Sequence, residues 1–212
     1  MSLKIYFLRH GETLYSKTGC FCGDLDPELT AEGAKMAEQF AAIYAKLPWN
    51  AVYLSPMKRT IATAKPLCDS LGIKMQLRDG LKEIKYGNWE GKTLESVKQE
   101  YPEDYINWLT EPAWNAPNGG ETSVQIASRA SLVIAEIGEK HKSGNVLVVS
   151  HKATIRIILC SLLGIDLGRY RDRISALAAS VSIVKFDVRG PLLEVLGDRS
   201  YMDETLRNLP GT

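Results

Sequence analysis

Two of the three histidines in this 212-residue chain stand directly after runs of strand-forming residues. The first run is Lys4-Ile5-Tyr6-Phe7-Leu8-Arg9-His10-Gly11-Glu12-Thr13; the second is Asn145-Val146-Leu147-Val148-Val149-Ser150-His151. A buried strand closed this way delivers its last side chains to the carboxyl end of a sheet, where open α/β folds bind ligands. An imidazole there can act as a nucleophile, and a guanidinium beside it can grip a phosphoryl group through its planar fork. Alone, Arg9-His10-Gly11 reads equally as a capped strand end with a solvated arginine. The recurrence of the pattern at His151 favours chemistry. His141, near a polar helix end, reads as a solvated bystander.

Two more residues fit the same set. Arg59 follows the short apolar strand Ala51–Leu54 and the turn Ser55-Pro56, at the start of a helix, where unpaired N–H groups favour an oxyanion. Glu83 lies in a probable loop of aromatics and glycines, Leu81 to Gly91. Read singly, Arg59 is an exposed arginine and Glu83 a solvated or capping carboxylate. Together, the arginines can hold a phosphomonoester dianion, one imidazole can attack phosphorus and the other can neutralise the equatorial oxygens. A carboxylic acid can then protonate the leaving alkoxide. The chain has no Gly-rich Lys loop of the P-loop type, no Gly-x-Gly-x-x-Gly after a strand and no Asp cluster for magnesium. Neither a metal nor a cofactor is called for.

The elements that would position these groups alternate. Helices are expected near 31–46, 57–71, 122–142 and 153–163, and further strands at 74–77, 180–188 and 192–196, the last two forming a hairpin through Arg189-Gly190-Pro191. Thr30 is the expected N-cap of the first helix, with its capping box left incomplete by Gly33. Residues 14–29 read as a loop containing Gly19, Gly23 and Asp24-Leu25-Asp26-Pro27, and 165–176 as a charged connection. The excursion at about 84–118, with a short helical stretch and then Trp108, Pro112, Trp114 and Pro117, reads either as a lid over the sheet or as a surface staple. The tail from Gly197 is polar and turn-rich. This alternation predicts an α/β fold, three layers α/β/α around a mostly parallel sheet, in a single domain over 1–212.

Composition removes several classes. Lys and Arg number 26 against 25 Asp and Glu, which gives no electrostatic footprint for nucleic acid or an acidic membrane face. No apolar stretch reaches the roughly 18 residues that span a bilayer, and the chain opens directly into a strand without a secretory leader. Cys20, Cys22, Cys68 and Cys160 form no Cys-x-x-Cys pair, and a Cys-x-Cys beside so few histidines is a poor metal site. A cytoplasmic protein, monomer or homodimer, acting on a small phosphorylated metabolite is the expectation.

The motifs also resemble a known family. Leu8-Arg9-His10-Gly11-Glu12-Thr13 is similar to the signature of the histidine phosphatase superfamily, which includes the cofactor-dependent phosphoglycerate mutases. Ser55-Pro56-Met57-Lys58-Arg59-Thr60 with Thr63-Ala64 resembles its second block, and Glu83 with Gly87-Asn88-Trp89-Glu90-Gly91 its third. Gly119-Gly120-Glu121-Thr122 and Val149-Ser150-His151 complete the order, and the last 45 or so residues add little. The resemblance implies a phosphohistidine on His10, phosphoryl contacts from Arg9, Arg59 and His151, and Glu83 as general acid and then base. It implies close backbone approach at Gly11 and a substrate pocket that includes Thr13, Ser16, Gly23 and Tyr86. Many members have Asn at Ser16, and a small Gly or Asn at Lys152, where this chain adds a cation.

Within the family, the length resembles the phosphatase branch more than the longer mutases. Tyr101 to Glu121 and Leu162-Leu163-Gly164-Ile165-Asp166-Leu167 are similar to metal-independent phosphoserine phosphatases. Those enzymes carry His where this chain has Tyr86, whose hydroxyl could meet a substrate carboxylate. The resemblance therefore implies a small-molecule phosphatase first, with phosphoserine its best single candidate and a mutase second. A catalytically inactive phosphate-binding regulator comes last, since all five expected catalytic residues are present.

Overall fold

Apolar runs with both faces covered make the centre of the sheet, and the computed structural model, which describes residues 2–211, shows six strands. They are β1 (Leu3–Arg9), β2 (Trp49–Leu54), β3 (Met75–Leu77), β4 (Gly144–Ser150), β5 (Val181–Asp187) and β6 (Gly190–Asp198). Their order is β3-β2-β4-β1-β5-β6. β1, β2, β3 and β4 run parallel, and β5 and β6 add the expected antiparallel hairpin at one edge.

The helices are α1 (Leu14–Thr18), α2 (Ala31–Tyr44), α3 (Lys58–Leu71), α4 (Leu94–Glu100), α5 (Pro102–Thr110), α6 (Ser123–Lys140), α7 (Lys152–Leu163), α8 (Tyr170–Arg173) and α9 (Glu204–Arg207). Phe40 and Ala41 of α2 and Ala64 and Leu67 of α3 pack with Tyr6, Leu8, Val52, Leu147 and Val149 on one face of the sheet. Ile126, Ala130 and Ile137 of α6 and Ile155 and Ile158 of α7 pack with Ile5, Phe7, Tyr53, Val146 and Val148 on the other. Side chains alternate across each strand, so the central strands bury both sets and the fold has three layers.

This topology creates a crevice. The chain leaves β1 through α2 on one face and leaves β4 through α7 on the other. Because β1 and β4 are neighbours, connections diverge at their carboxyl ends, and a crevice opens there.

Several local expectations are corrected. Residues 14–29 are not all loop: α1 is fixed by a capping box between Thr13 and Ser16 and closed by Gly19 at φ 73°. Five residues are too few to show an apolar period. The 84–118 excursion holds two helices, one capped by Thr93 and the next started by Pro102. The connection at 165–176 holds a 3₁₀ turn, Leu167–Arg169, and α8; the tail contains α9, capped by Asp203. No helix among the described residues is long and apolar enough to cross a membrane.

Candidate active site

Strand register brings the two histidines together. Arg9 of β1 lies opposite Ser150 of β4, and the His10 amide donates to the Ser150 carbonyl at 3.0 Å. The next residues are therefore neighbours: the His10 and His151 rings meet edge to face with centroids 5.2 Å apart. Neither ring is more than 5% exposed. Burial, reinforced by the Arg59 guanidinium, pushes both imidazoles well below their ordinary pKa, so both are neutral near pH 7.

Their hydrogen bonds then assign the protons. Nδ1 of His10 lies 2.8 Å from the Gly11 carbonyl, which can only accept. The neutral ring therefore carries its proton on Nδ1 and keeps the lone pair on Nε2. His151 is the reverse: its Nδ1 accepts from Nε–H of Arg59 at 3.2 Å, leaving the proton on a buried Nε2 that has no hydrogen-bond partner among the described residues. One ring thus has a lone pair on Nε2 and the other an N–H there.

Arg9 and Arg59 are almost wholly buried and line the same cleft as His10. Nη1 of Arg9 donates to the Ala176 carbonyl at 2.8 Å and to that of Gly211 at 3.3 Å. The tail thus reaches back beneath the site, which its composition did not announce. Burial pulls the Arg9 pKa down to about 10, leaving it charged at pH 7. Arg59 is anchored by the carbonyls of Leu25 and Gly23, at 2.6 and 3.1 Å, and by Asp26 at 3.5 Å. The oxyanion position expected at the start of α3 is occupied from within the chain. Both oxygens of Asp26 accept from the Lys58 amide, at 2.9 and 3.1 Å.

Glu83 enters the cleft from the loop after a 3₁₀ turn at Asp79–Leu81. Oε2 accepts from the Ala153 amide at 3.1 Å. Oε1 accepts from the Thr154 amide and hydroxyl at 3.1 Å each and from the Ile84 amide at 3.0 Å. The carboxyl group thus sits on the first turn of α7, with one backbone amide of that turn on each of its oxygens. Its loop is clamped from behind: Arg129 donates to the carbonyls of Gly80 and Glu83 and pairs with Glu121. Glu121 in turn accepts from the Lys85 amide at 3.0 Å. The Gly-Gly-Glu-Thr motif therefore acts as a buttress for the loop.

Thr13, Ser16 and Tyr86 line the cleft as expected, although the Ser16 hydroxyl already serves the cap of α1. Gly23 does not line it. Its N–H is taken by Glu90 and its carbonyl by Arg59, and a Cβ there would lie 2.1 Å from the Ile84 carbonyl. Glu90 also accepts from the amides of Asp24 and Tyr86, tying two loops together. Gly11 does allow close backbone approach, to Gly33 of α2; a Cβ would stand 2.5 Å from the Gly33 carbonyl. Gly33 likewise abuts Glu12, which explains why the α2 capping box lacks its Glu or Gln. His141 is no bystander: its Nε2 lies 3.2 Å from the buried Tyr53 hydroxyl.

The sequence reading singled out Lys152, which lines the cleft, but missed Arg156 one turn further along α7. It also missed Tyr170 and Arg171, hidden in the charged connection, and Phe21. Trp108 lines the cleft too, packed edge to face on Trp89 at 5.3 Å, with the Arg171 guanidinium 3.7 Å above its ring. The excursion therefore walls the cleft through Trp108, while Trp114 is exposed. The i, i+4 spacing of Lys152 and Arg156 after a strand-end histidine was the available signal. Among the described residues, no group of three or more His, Cys, Asp or Glu side chains stands ready to hold a metal ion.

A doubly wound sheet with two buried histidines and two buried arginines at the ends of adjacent parallel strands defines a phosphoryl-handling α/β protein. Residues 5–199 match the family described as histidine phosphatase superfamily (branch 1), and the chain belongs to it. It is 30% identical to phosphoserine phosphatase 1 of Hydrogenobacter thermophilus over 202 residues, 95% of each chain. It is 26% identical to the adenosylcobalamin/alpha-ribazole phosphatase of Escherichia coli, over 76% of this chain and 80% of that one. The fold superimposes on Bacillus stearothermophilus YhfR with a TM-score of 0.87 at 26% identity, covering 94% of this chain and 98% of the other. The fold is of the phosphoglycerate mutase type, and the protein is an enzyme of the phosphoric monoester hydrolase class.

Proposed function

We propose that this enzyme hydrolyses a small phosphomonoester through a phosphohistidine on Nε2 of His10. The observation that carries the reading is the Nδ1 contact to the Gly11 carbonyl, which fixes the tautomer of a buried, neutral imidazole. In the first step the Nε2 lone pair forms a bond to phosphorus while the P–O bond to the alcohol breaks. The Glu83 carboxyl supplies the proton that the leaving alkoxide takes. In the second step water attacks phosphorus, the N–P bond breaks, and the Glu83 carboxylate takes the proton back. Arg9, Arg59 and Nε2–H of His151 supply the charge and donors for the three equatorial oxygens, the part a metal plays elsewhere.

A cleft of about 190 Å³ suits a small metabolite. Phosphoserine is the first compound to test, on the strength of the relative that bears its name. The test is phosphate release from phosphoserine, 3-phosphoglycerate and an aryl phosphate in the presence of a chelator, with a His10→Ala control. Chelator-resistant release that the control loses supports the reading. Isomerisation of phosphoglycerate dependent on a bisphosphate primer, without net release, would replace it with the mutase reading.

A further inference from the structure

In the proposed reaction Glu83 changes charge twice per turnover, in a site where it is only 6% exposed. Its surroundings have to serve the acid and the carboxylate in turn. Most of them come from α7. His151, the N-cap of that helix, makes no side-chain cap, so the Ala153 and Thr154 amides are left to an acceptor from elsewhere. Glu83 is that acceptor.

The donors are shared unevenly between its oxygens. Among the described residues, Oε2 faces the Ala153 amide alone. Oε1 faces the Thr154 amide, the Ile84 amide and the Thr154 hydroxyl. An oxygen that accepts two fixed N–H groups has little capacity left for a proton of its own, so the acid form carries its proton on Oε2.

The Thr154 hydroxyl differs from the amides in that it can turn. Thr154 is fully buried, and its Oγ1 lies 2.7 Å from the Lys82 carbonyl and 3.1 Å from Oε1 of Glu83. One hydroxyl proton thus has two acceptors within reach. Beside a neutral carboxyl, the shorter contact to Lys82 takes it. Beside a carboxylate, Oε1 becomes the better acceptor, because hydrogen bonds to an ionised group are roughly twice as strong as neutral ones.

We propose that Thr154 is a positioning residue for Glu83: its hydroxyl proton turns from the Lys82 carbonyl to Oε1 as the carboxyl gives up its own proton from Oε2. No bond within Thr154 breaks. The Oε2–H bond breaks, the leaving oxygen gains that proton, and the hydroxyl only rotates. When water attacks the phosphohistidine, Oε2 takes a proton from the water and the hydroxyl turns back. A donor aimed at charge as it develops stabilises the transition state more than the ground state. This assignment rests on the phosphohydrolase reading and names a residue on which its acid step depends.

Thr154→Val removes the hydroxyl at nearly constant shape, and Thr154→Ser keeps it. Both are assayed as kcat/KM on the faster of phosphoserine and 3-phosphoglycerate, whose alkoxides need a proton, and on an aryl phosphate, whose phenolate does not. The valine variant should lose about tenfold or more on the alkyl phosphate, the scale of a hydrogen bond to a charged group, and less than about twofold on the aryl one. The serine variant should stay near the native enzyme on both. In a Glu83→Gln background, Thr154→Val should add no selective loss, because no proton is given there. Thr154→Ala carries the same comparison should the valine variant fail to fold. Equal losses on the two substrates, a selective loss that persists beside Glu83→Gln, or a serine variant as impaired as valine would overturn the role and leave the hydrolase reading intact. No turnover of any of these phosphates by the native enzyme would overturn both.

Discussion

Arg59 donates from Nε to Nδ1 of His151 at 3.2 Å, and through that one bond a helix on one face of the sheet sets the tautomer of a histidine at the head of a helix on the other. The guanidinium has two tasks. Its Nη atoms hold the Gly23–Leu25 loop, and its Nε keeps the His151 proton on Nε2.

Arg59→Lys should therefore cost more than a charge-conserving change would suggest. Lysine keeps the positive charge but cannot hold two carbonyls and the imidazole in one plane. A fall in kcat of about a hundredfold or more is expected, the scale for loss of a preorganised donor. Steady-state kinetics would check it, and a change confined to KM would contradict the shared role.

Glu83→Gln leaves acceptor capacity for the amides of α7 but has no proton to give. The loss should depend on the alcohol: about 10² to 10⁴ in kcat for an alkyl phosphate, and far less for an aryl phosphate whose phenolate leaves without help. Equal losses on both would assign Glu83 to structure alone.

Buried neutral histidines also make stability depend on pH. His10 and His151 titrate well below 6.5 when folded but near 6.5 when unfolded. Below pH 6.5 the unfolded chain thus binds protons that the folded chain refuses, and stability falls with pH until the folded values are reached. With both groups contributing, the slope should approach about 2.7 kcal/mol per pH unit. Denaturant titrations between pH 7 and 5 would measure it, and His151→Gln should roughly halve the slope.

Lys152 has its pKa pulled down to about 8, chiefly by burial and further by Arg9 and Arg156, with Glu83 opposing. Its charge is present below that value and lost above it. For a substrate with an anionic leaving group, kcat/KM should decline above about pH 8 in the native enzyme, and this limb should be absent from Lys152→Met. A limb that persists in the variant would assign the decline to another group.

The fold was legible where the physics is local and repetitive. Apolar runs ending in His10 and His151 marked the two central strands; α2 and α6 followed from their apolar positions, and α3 and α7 from their place directly after a strand end. Their pairing is a register, Arg9 opposite Ser150, and only the assembled sheet supplies it. α1 escaped because a five-residue helix has a cap but no period. The same holds for the cleft. His10, Arg59 and Glu83 carried chemical signals in the sequence, whereas Arg156 looks like an ordinary helix residue and Tyr170 like part of a charged connection until the folded chain brings both into the cleft wall. Gly23 went the other way: the family resemblance put it in the substrate pocket, but its N–H belongs to Glu90.

The most direct test of the central claim is to trap the covalent intermediate. The native enzyme would be mixed with an aryl phosphate, quenched in alkali within the first turnover, and its peptides mapped by mass spectrometry. The account predicts one added phosphoryl group, stable to alkali and labile to acid, on the peptide containing His10, and none in His10→Ala. Turnover by the native enzyme with no phosphoryl group on His10, or with undiminished turnover in His10→Ala, would contradict it.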